Sequence, residues 1–535
     1  MKPVEKHLET PPKANVCLLL EGTFPFVRGG VSTWVKQIIE GMPNLTFSII
    51  YLGPDSTTHG EPAYPLPDNV IHLETHFLME PRADDSEPTT WAAKLQSMVK
   101  KSVIGRKKLK QFSTNNALHT QLKDSKGELD DAVSREFTSI LTGPDAISDK
   151  NLQEDKGAWD TIREKYHDAP EGLDFNHFFW TVRSMHAPLF VLADIVENAP
   201  GADVYHSVST GYAGFLGSML KAATGKPFII SEHGIYTKER ELDLAQVDWI
   251  PESLDPFKVG LNDNMNYLRS VWIRFFLSLG RMSYSSADHV YTLYEGNRRR
   301  QIADGAREQR LTIIPNGVDV NRFRQVRRAD DAPVPPVLAL IGRVVPIKDI
   351  KTFIRAMQIV RSKVPDAEGW LFGPEDEDED YARECHMLVE SLGLSHVVRF
   401  KGFGKPDDIF PRIGLCVLTS VSEGQPLVAL EGFAAGIPAL TTDVGSCREL
   451  IEGIEPDDRL MGAAGAVVPI ADAAAFAEAA VALLSDRQAW NNARDSAIAR
   501  VEAYYDEIQM IERYQQAYQD QITKPAACLN TTKVA

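Results

Sequence analysis

Disulfide scaffolding, membrane spanning and broad nucleic-acid binding each need something this sequence has little of. Its 535 residues hold five cysteines, Cys17, Cys385, Cys416, Cys447 and Cys528, with no Cys-x-x-Cys pair. An odd, scattered set argues against a disulfide framework. Cys17 and Cys416 fall inside apolar runs, where a thiol behaves as a small buried hydrophobe. No window reaches 18 uninterrupted apolar residues, so no membrane span is expected. The stretch Met1 to His7 is polar and is followed only by the short apolar run Val16 to Leu20, which is a core strand rather than a signal peptide. A cytoplasmic soluble protein is the expectation. Positive charge is also short: 57 Lys and Arg stand against 74 Asp and Glu, a net charge of −17. Nucleic-acid partners are therefore not expected, because phosphate neutralisation needs clustered cations. A local basic pocket for a small phosphorylated ligand remains compatible with that balance.

What is present is globular composition, 43% hydrophobic and 24% charged, in a chain too long for one core, so two or three domains are the natural expectation. Residues 1–14 read as a tail. Val16 to Leu20 is the first strand, Glu21 to Gly30 a turn, and Val31, Trp34, Val35, Ile38, Ile39 and Met42 the apolar stripe of a helix packed on a sheet. A strand follows at Thr46 to Tyr51. From about His76 to Gly172 the alternation breaks into a polar insertion, with short helical pieces such as Trp91 to Val99 and Ala132 to Leu141. Order returns with a helix over Phe175 to Asn198, strands at Asp203 to His206 and Pro227 to Ser231, and a long helix over Leu261 to Ser285. Strands at His289 to Thr292 and Leu311 to Pro315 complete a first domain over 15–323.

Residues 324–336, charged and then proline-rich, read as a linker. A second strand–helix alternation occupies 337–485: strand Val337 to Gly342, helix Ile350 to Val364, strand Gly369 to Gly373, helix Asp380 to Leu392, strand Val397 to Lys401 and strand Ile413 to Leu418. Two such series imply two doubly wound α/β domains. Residues 486–535 are expected to be helical, with Tyr504, Tyr505, Ile508, Ile511 and Tyr514 at helical spacing, and long enough to cross back to the first domain.

The chemistry concentrates around Ser422-Glu423-Gly424-Gln425-Pro426-Leu427-Val428-Ala429-Leu430-Glu431-Gly432. Pro426 suits the first position of a helix, and Gly436 and Pro438 suit its end. The loop thus joins the C-terminal end of a parallel strand to a helix N-terminus, where open α/β sheets bind ligands and backbone N–H groups favour an anion. On another strand of the same expected sheet, Arg343 and Lys348 stand five apart in a loop and can converge on one anion; a fork and an ammonium suit a diphosphate. Glu431, in the second helical turn among Leu427, Val428, Leu430, Phe433 and Ala434, needs a partner for its charge, and a ribose is a common one. Glu423 at the loop mouth can accept sugar hydroxyls or stabilise positive charge at a sugar carbon. His233 closes a strand in the first domain, and Gly29-Gly30 forms a turn that can face phosphates. The acidic run Glu375 to Asp380 opens a helix, where acids complement the dipole, and no metal site is expected.

Taken in order and spacing, Glu423-x₇-Glu431, the Arg343/Lys348 loop, Pro315-Asn316-Gly317-Val318-Asp319 and Gly29-Gly30 resemble the retaining GT-B glycosyltransferases of family 4. The likeness covers most of the chain outside about 76–172. Leu20 to Val35 and Ser231 to Tyr236 look like the branch of that family serving Pel exopolysaccharide synthesis. The resemblance implies two Rossmann-like domains facing across a cleft, an insertion in the first, and a C-terminal helix crossing back. It implies that Arg343 and Lys348, with Gly29 and Gly30, bind the donor diphosphate and that Glu431 binds the ribose. Glu423 and the Gly424, Gln425, Pro426 and Leu427 backbone would hold the donor sugar, with His233 near the reacting carbon. Many relatives carry an apolar residue where this chain has Gln425. The implied substrates are a UDP-sugar, UDP-glucose first, and a polysaccharide acceptor at a membrane-embedded Pel-type synthase and export complex, with recruitment to the inner membrane face. No cofactor or metal is implied. Two rivals differ in outcome: an epimerase converts the UDP-sugar without an acceptor, and a nucleotide-sugar-sensing subunit binds it without turnover.

Overall fold

The computed structural model describes residues 11–56, 60–79, 129–142, 146–147, 156–170, 172–246 and 261–523. The chain divides into two compact units, one of Met1–Thr292, Arg299–Thr312 and Gln515–Ala535, the other of Leu293–Arg298 and Ile313–Tyr514. The helical piece expected at Trp91 to Val99 lies outside the described residues.

The first unit is built on a seven-stranded sheet: β1 (Ala14–Glu21), β2 (Phe47–Gly53), β3 (Val70–Phe77), β4 (Ala202–Ser207), β5 (Phe228–Glu232), β6 (His289–Thr292) and β7 (Leu311–Ile313), ordered β3-β2-β1-β4-β5-β6-β7. β1 is parallel to β2 and to β4, with Val16 opposite both Phe47 and Val204. Val16 to Leu20 are all buried, so the apolar run is a central strand covered on both faces. The helix Gly30–Gly41 packs Trp34, Val35, Ile38 and Ile39 inward, as its spacing predicts. Strand β3 was not expected. It is an edge strand whose alternate residues His72, Glu74 and His76 are polar, with both histidine Nε2 atoms within 3.3 Å of the Glu74 carboxylate; a half-exposed edge needs no apolar alternation. The helical piece expected at Ala132 to Leu141 is present as Asp131–Thr142.

The second unit has a six-stranded sheet of β8 (Val337–Ile341), β9 (Glu368–Phe372), β10 (Val398–Phe400), β11 (Leu415–Leu418), β12 (Ala439–Thr442) and β13 (Gly465–Val468), ordered β10-β9-β8-β11-β12-β13. Each pair is parallel. The stretch 324–336 lies inside this unit: Arg327 Nε donates to the Ala434 carbonyl at 2.8 Å, and Arg494 pairs with Asp330 at 2.7 Å.

The helical spacing expected through Tyr504 and Tyr514 is interrupted. One helix ends at Tyr504 and another begins at Glu507. Between them Tyr505 accepts the Val318 N–H at 2.9 Å, and Glu507 N donates back to Val318 at 3.0 Å. This tertiary bridge takes backbone groups that helix continuation would have used. The approach requires Gly317, because a Cβ there would lie 2.4 Å from Glu507 Cα and 2.8 Å from its nitrogen. Gly317→Ala is therefore expected to cost about 1–3 kcal/mol and lower the melting temperature by roughly 3–10 °C; an unchanged melting curve would show that the junction yields freely. From Gln515 the last helix belongs to the first unit, where Tyr518 Oη and His206 Nδ1 form a hydrogen bond at 2.7 Å. No helix among the described residues is long and apolar enough to cross a membrane.

Candidate functional site

In each sheet the strand order reverses once, between β1 and β4 in the first unit and between β8 and β11 in the second. Such switch points open a crevice at the C-terminal strand ends. In the second unit the loops leaving β8 and β11 carry Arg343 and Lys348 on one side and residues 419–426 on the other. The two loops are tied together: Val421 N donates to the Ile347 carbonyl at 2.9 Å, and Thr419 Oγ1 to the Lys348 carbonyl at 2.9 Å. Lys348 Nζ lies 2.6 Å from Glu423 Oε1, which also accepts Ser420 Oγ at 2.6 Å. Both members of this pair are largely buried, at 18% and 12% side-chain exposure. Arg343 instead pairs with Glu377 at an exposed position, so the acidic run that opens the helix Glu379–Ser391 supplies a counter-charge at the mouth of the β8 loop.

Asp349 follows Lys348 with φ 44° and ψ 52°, in the left-handed region, and accepts the Thr352 N–H at 3.3 Å, starting the helix Ile350–Lys363. The turn that aims Lys348 is thereby fixed on its far side by a helix cap.

Pro426 stands at the N-cap of the helix Leu427–Ala434, one position earlier than expected, and offers no side-chain cap to its N–H groups. An uncapped helix start at a switch point is a ready anion site. Gly436, with φ 73°, closes that helix. Glu431 is half-buried in its second turn, and burial pushes its carboxyl up to about 7. Arg322, which lowers it, and Asp407, which raises it, are paired with each other through Nε and Oδ1 at 2.9 Å. Gln425 is buried, and its side-chain Oε1 accepts the Asn316 N–H at 2.6 Å.

In the first unit, Gly29 precedes the helix Gly30–Gly41 with an extended φ of 165°, and a Cβ there would meet nothing within 4 Å. Neither backbone conformation nor packing demands glycine at that position, which leaves room for a ligand's close approach. His233 follows β5, 7% exposed, with its ring edge-on to Trp34 at 4.6 Å between centroids. Burial lowers its pKa to about 3, so the imidazole is neutral. His206, on β4, is lowered likewise to about 3 by burial and then by His233, and its Nε2 lies 2.8 Å from Ser231 Oγ.

Two acids not anticipated from the sequence frame this edge. Glu232 is 2% exposed. Its Oε1 accepts Thr210 Oγ1 and Tyr236 N, both at 3.0 Å, and its Oε2 accepts Tyr284 Oη at 2.5 Å and Gln301 Nε2 at 2.9 Å. Burial raises its pKa against those four bonds. Glu21 at the end of β1 accepts Tyr236 Oη at 2.9 Å and Ala213 N, near the start of the helix Tyr212–Thr224, at 3.2 Å. Burial also raises its pKa. The signal was available: each acid ends an apolar strand, Leu18-Leu19-Leu20-Glu21 and Phe228-Ile229-Ile230-Ser231-Glu232, where an α/β sheet turns toward its ligand edge.

With this geometry in view, comparison with known proteins gives a family. Residues 14–309, more than half the chain, match the family model described as domain of unknown function DUF3492, and residues 335–486 match that of glycosyl transferases group 1. The D-inositol 3-phosphate glycosyltransferase of Nocardia farcinica is 30% identical over 202 residues, covering 35% of this chain and 43% of that protein. The mannosylfructose-phosphate synthase of Agrobacterium fabrum is 28% identical over 257 residues, covering 44% of this chain and 53% of that protein. The chain thus spans about half the length of these curated relatives. Among solved structures, Anabaena HepE in complex with UDP-glucose matches with a TM-score of 0.56 at 14% identity, over 94% of this chain and 99% of that one. Sucrose-phosphate synthase from Thermosynechococcus elongatus matches with a TM-score of 0.53 at 16% identity, over 95% and 98%. The fold class expected from the sequence holds: α/β, GT-B, with two Rossmann-like parallel-sheet domains. The chain belongs to the DUF3492 family and carries a group 1 glycosyl transferase region after it.

Proposed function

We propose that this DUF3492 protein is a retaining glycosyltransferase of family 4 that moves a hexose or hexosamine from a UDP-sugar to a growing exopolysaccharide chain. The observation that carries this reading is the switch point of the second unit. There Lys348, Glu423 and the uncapped start of the helix Leu427–Ala434 meet, with Glu431 in the helix's second turn. A diphosphate takes the cations and the helix N–H groups, a ribose takes Glu431, and the sugar takes Glu423 with the backbone of Gly424, Gln425, Pro426 and Leu427. The group 1 match covers these same residues. The donor is assigned to the second unit.

Chemistry follows from charge. As the bond from the anomeric carbon to the diphosphate breaks, negative charge grows on the leaving phosphate, and Arg343 and Lys348 stabilise it. The acceptor hydroxyl attacks from the face the diphosphate leaves and passes its proton to the departing phosphate oxygen, so configuration is retained without an enzymic nucleophile, metal or cofactor. His233, in the first unit, is kept neutral by its burial.

UDP-glucose is the proposed donor, supported by the fold's likeness to HepE, which was solved with that ligand. The Leu20 to Val35 and Ser231 to Tyr236 stretches resemble PelF, which supports a role in Pel exopolysaccharide synthesis, in the cytoplasm, beside a membrane-embedded synthase and export complex. Mass spectrometry of products from a panel of UDP-sugars, with and without an oligosaccharide acceptor, tests this. Elongated acceptor is the expected result. Conversion of the UDP-sugar alone would assign an epimerase, and binding without turnover beside the membrane partners would assign a sensor.

A further inference from the structure

Gln425 stands where the donor loop enters its helix, yet its side chain turns into the protein. Oε1 accepts the Asn316 N–H at 2.6 Å, and Asn316 Nδ2 reaches back to the Gln425 carbonyl at 3.3 Å. The two residues are 109 apart in sequence, 7% and 4% exposed. Asn316 sits on a rigid base, because Gly317 and Val318 are pinned against Tyr505 and Glu507. From the other side, Ser446 N donates to the Gly424 carbonyl at 2.9 Å. Gly445 at φ 55° comes so close that a Cβ would lie 2.3 Å from both the Glu423 and Gly424 oxygens. Glu423 itself is held by Ser420 and Lys348.

We infer that Gln425 is a positioning residue: its side chain latches the donor loop to Asn316, and only its backbone faces the sugar. Three consecutive residues, Glu423, Gly424 and Gln425, are thereby fixed by groups outside the loop, so the sugar meets a preformed surface. An apolar residue in place of Gln425 removes the acceptor and leaves the Asn316 N–H buried without a partner, which frees the loop to shift. A small misplacement of a positioning element costs rate more than ground-state binding. This inference rests on the donor site proposed above and adds the means by which that site is held in shape.

The test compares Gln425→Leu with Gln425→Glu, whose carboxylate still accepts the Asn316 N–H. For each, kcat and KM are measured with UDP-glucose, affinity with UDP alone, and amide exchange over 423–427. Gln425→Leu is expected to lower kcat by about 10- to 100-fold and to speed exchange at 423–427, with UDP affinity changed by no more than about twofold. Gln425→Glu is expected to recover most of both losses. Near-wild-type kcat and exchange in Gln425→Leu would overturn the inference. So would a Gln425→Glu variant as damaged as Gln425→Leu with the loss in KM, since the side chain would then touch the sugar. Exchange rising throughout the second unit rather than in the loop would also overturn it. If the wild-type protein bound no UDP-sugar, the proposed function would fail, while the exchange comparison would still decide the latch.

Discussion

Replacing Arg343 and Lys348 together by alanine is expected to abolish sugar transfer, with a loss of at least about 10⁴-fold, since each preorganised donor on a developing anion is worth roughly 10²–10³. The single variants separate catalysis from folding. Arg343 pairs with Glu377 at half-exposed positions, 51% and 47%, and such a pair contributes at most about 1 kcal/mol to stability. Arg343→Ala should therefore melt within a few degrees of the wild type while turnover falls about 100-fold. Lys348 differs. Its partner Glu423 is 12% exposed, and removing the lysine leaves that carboxylate with Ser420 Oγ as its remaining hydrogen-bond donor among the described residues. A largely buried charge stripped of its counter-ion is strongly destabilising, so Lys348→Ala is expected to lose stability and activity together. Adding Glu423→Gln to it should restore the melting temperature without restoring turnover. Near-normal turnover in the Arg343→Ala, Lys348→Ala double variant would sink the donor-site assignment.

How much of this was legible in the sequence depends on whether a position is governed by local pattern. Strands β8 and β11 are continuous apolar runs between turn residues, so the sequence pattern alone locates both loops of the second-unit switch point. Other features were lost for identifiable reasons. The helix Tyr212–Thr224 buries every residue from Tyr212 to Leu220, so it has no polar face and no amphipathic stripe to detect. The break at Tyr505 comes from a bridge to Val318, and local periodicity carries no record of a partner so distant in sequence. Gln425 is the sharpest case. It stood out as a departure from an apolar position, but the Asn316 N–H that calls for an acceptor there comes from a separate loop after β7. Glu21 and Glu232 stand beside more conspicuous glycines and a histidine, although an acid closing an apolar strand is itself a strong mark of a built site.

Donor affinity is expected to rise with pH and then level off near neutrality, because of Glu431. Burial raises its carboxyl from 4.5 to about 7, so at acidic pH the side chain is protonated. A ribose whose hydroxyls donate to it favours the ionised form, and binding then releases a proton. Below the folded-state value each pH unit costs up to tenfold in affinity, so UDP-glucose should bind about 20-fold more weakly at pH 5.5 than at pH 7.5. Folding has the opposite sign. A carboxyl whose folded pKa is raised contributes stability below 4.5 that is lost as pH rises through 7, and this loss is the contribution of Glu431 alone. His233 and His206, both lowered to about 3, stay neutral in the folded protein over this interval and leave donor binding unchanged, whereas in the unfolded chain they take up protons near 6.5, so their share of folding stability rises with pH. UDP-glucose is the correct probe, since its diphosphate is a diester, whereas the terminal phosphate of UDP titrates near 6. Glu431→Gln cannot ionise and is expected to bind about 10- to 100-fold more weakly at pH 7.5, through loss of hydrogen bonds to a charged acceptor, with a flat profile between pH 5.5 and 7.5. Isothermal titration in two buffers of different ionisation enthalpy counts the released proton directly. A pH-independent wild-type affinity, or a sloping profile retained in Glu431→Gln, would remove Glu431 from the ribose site.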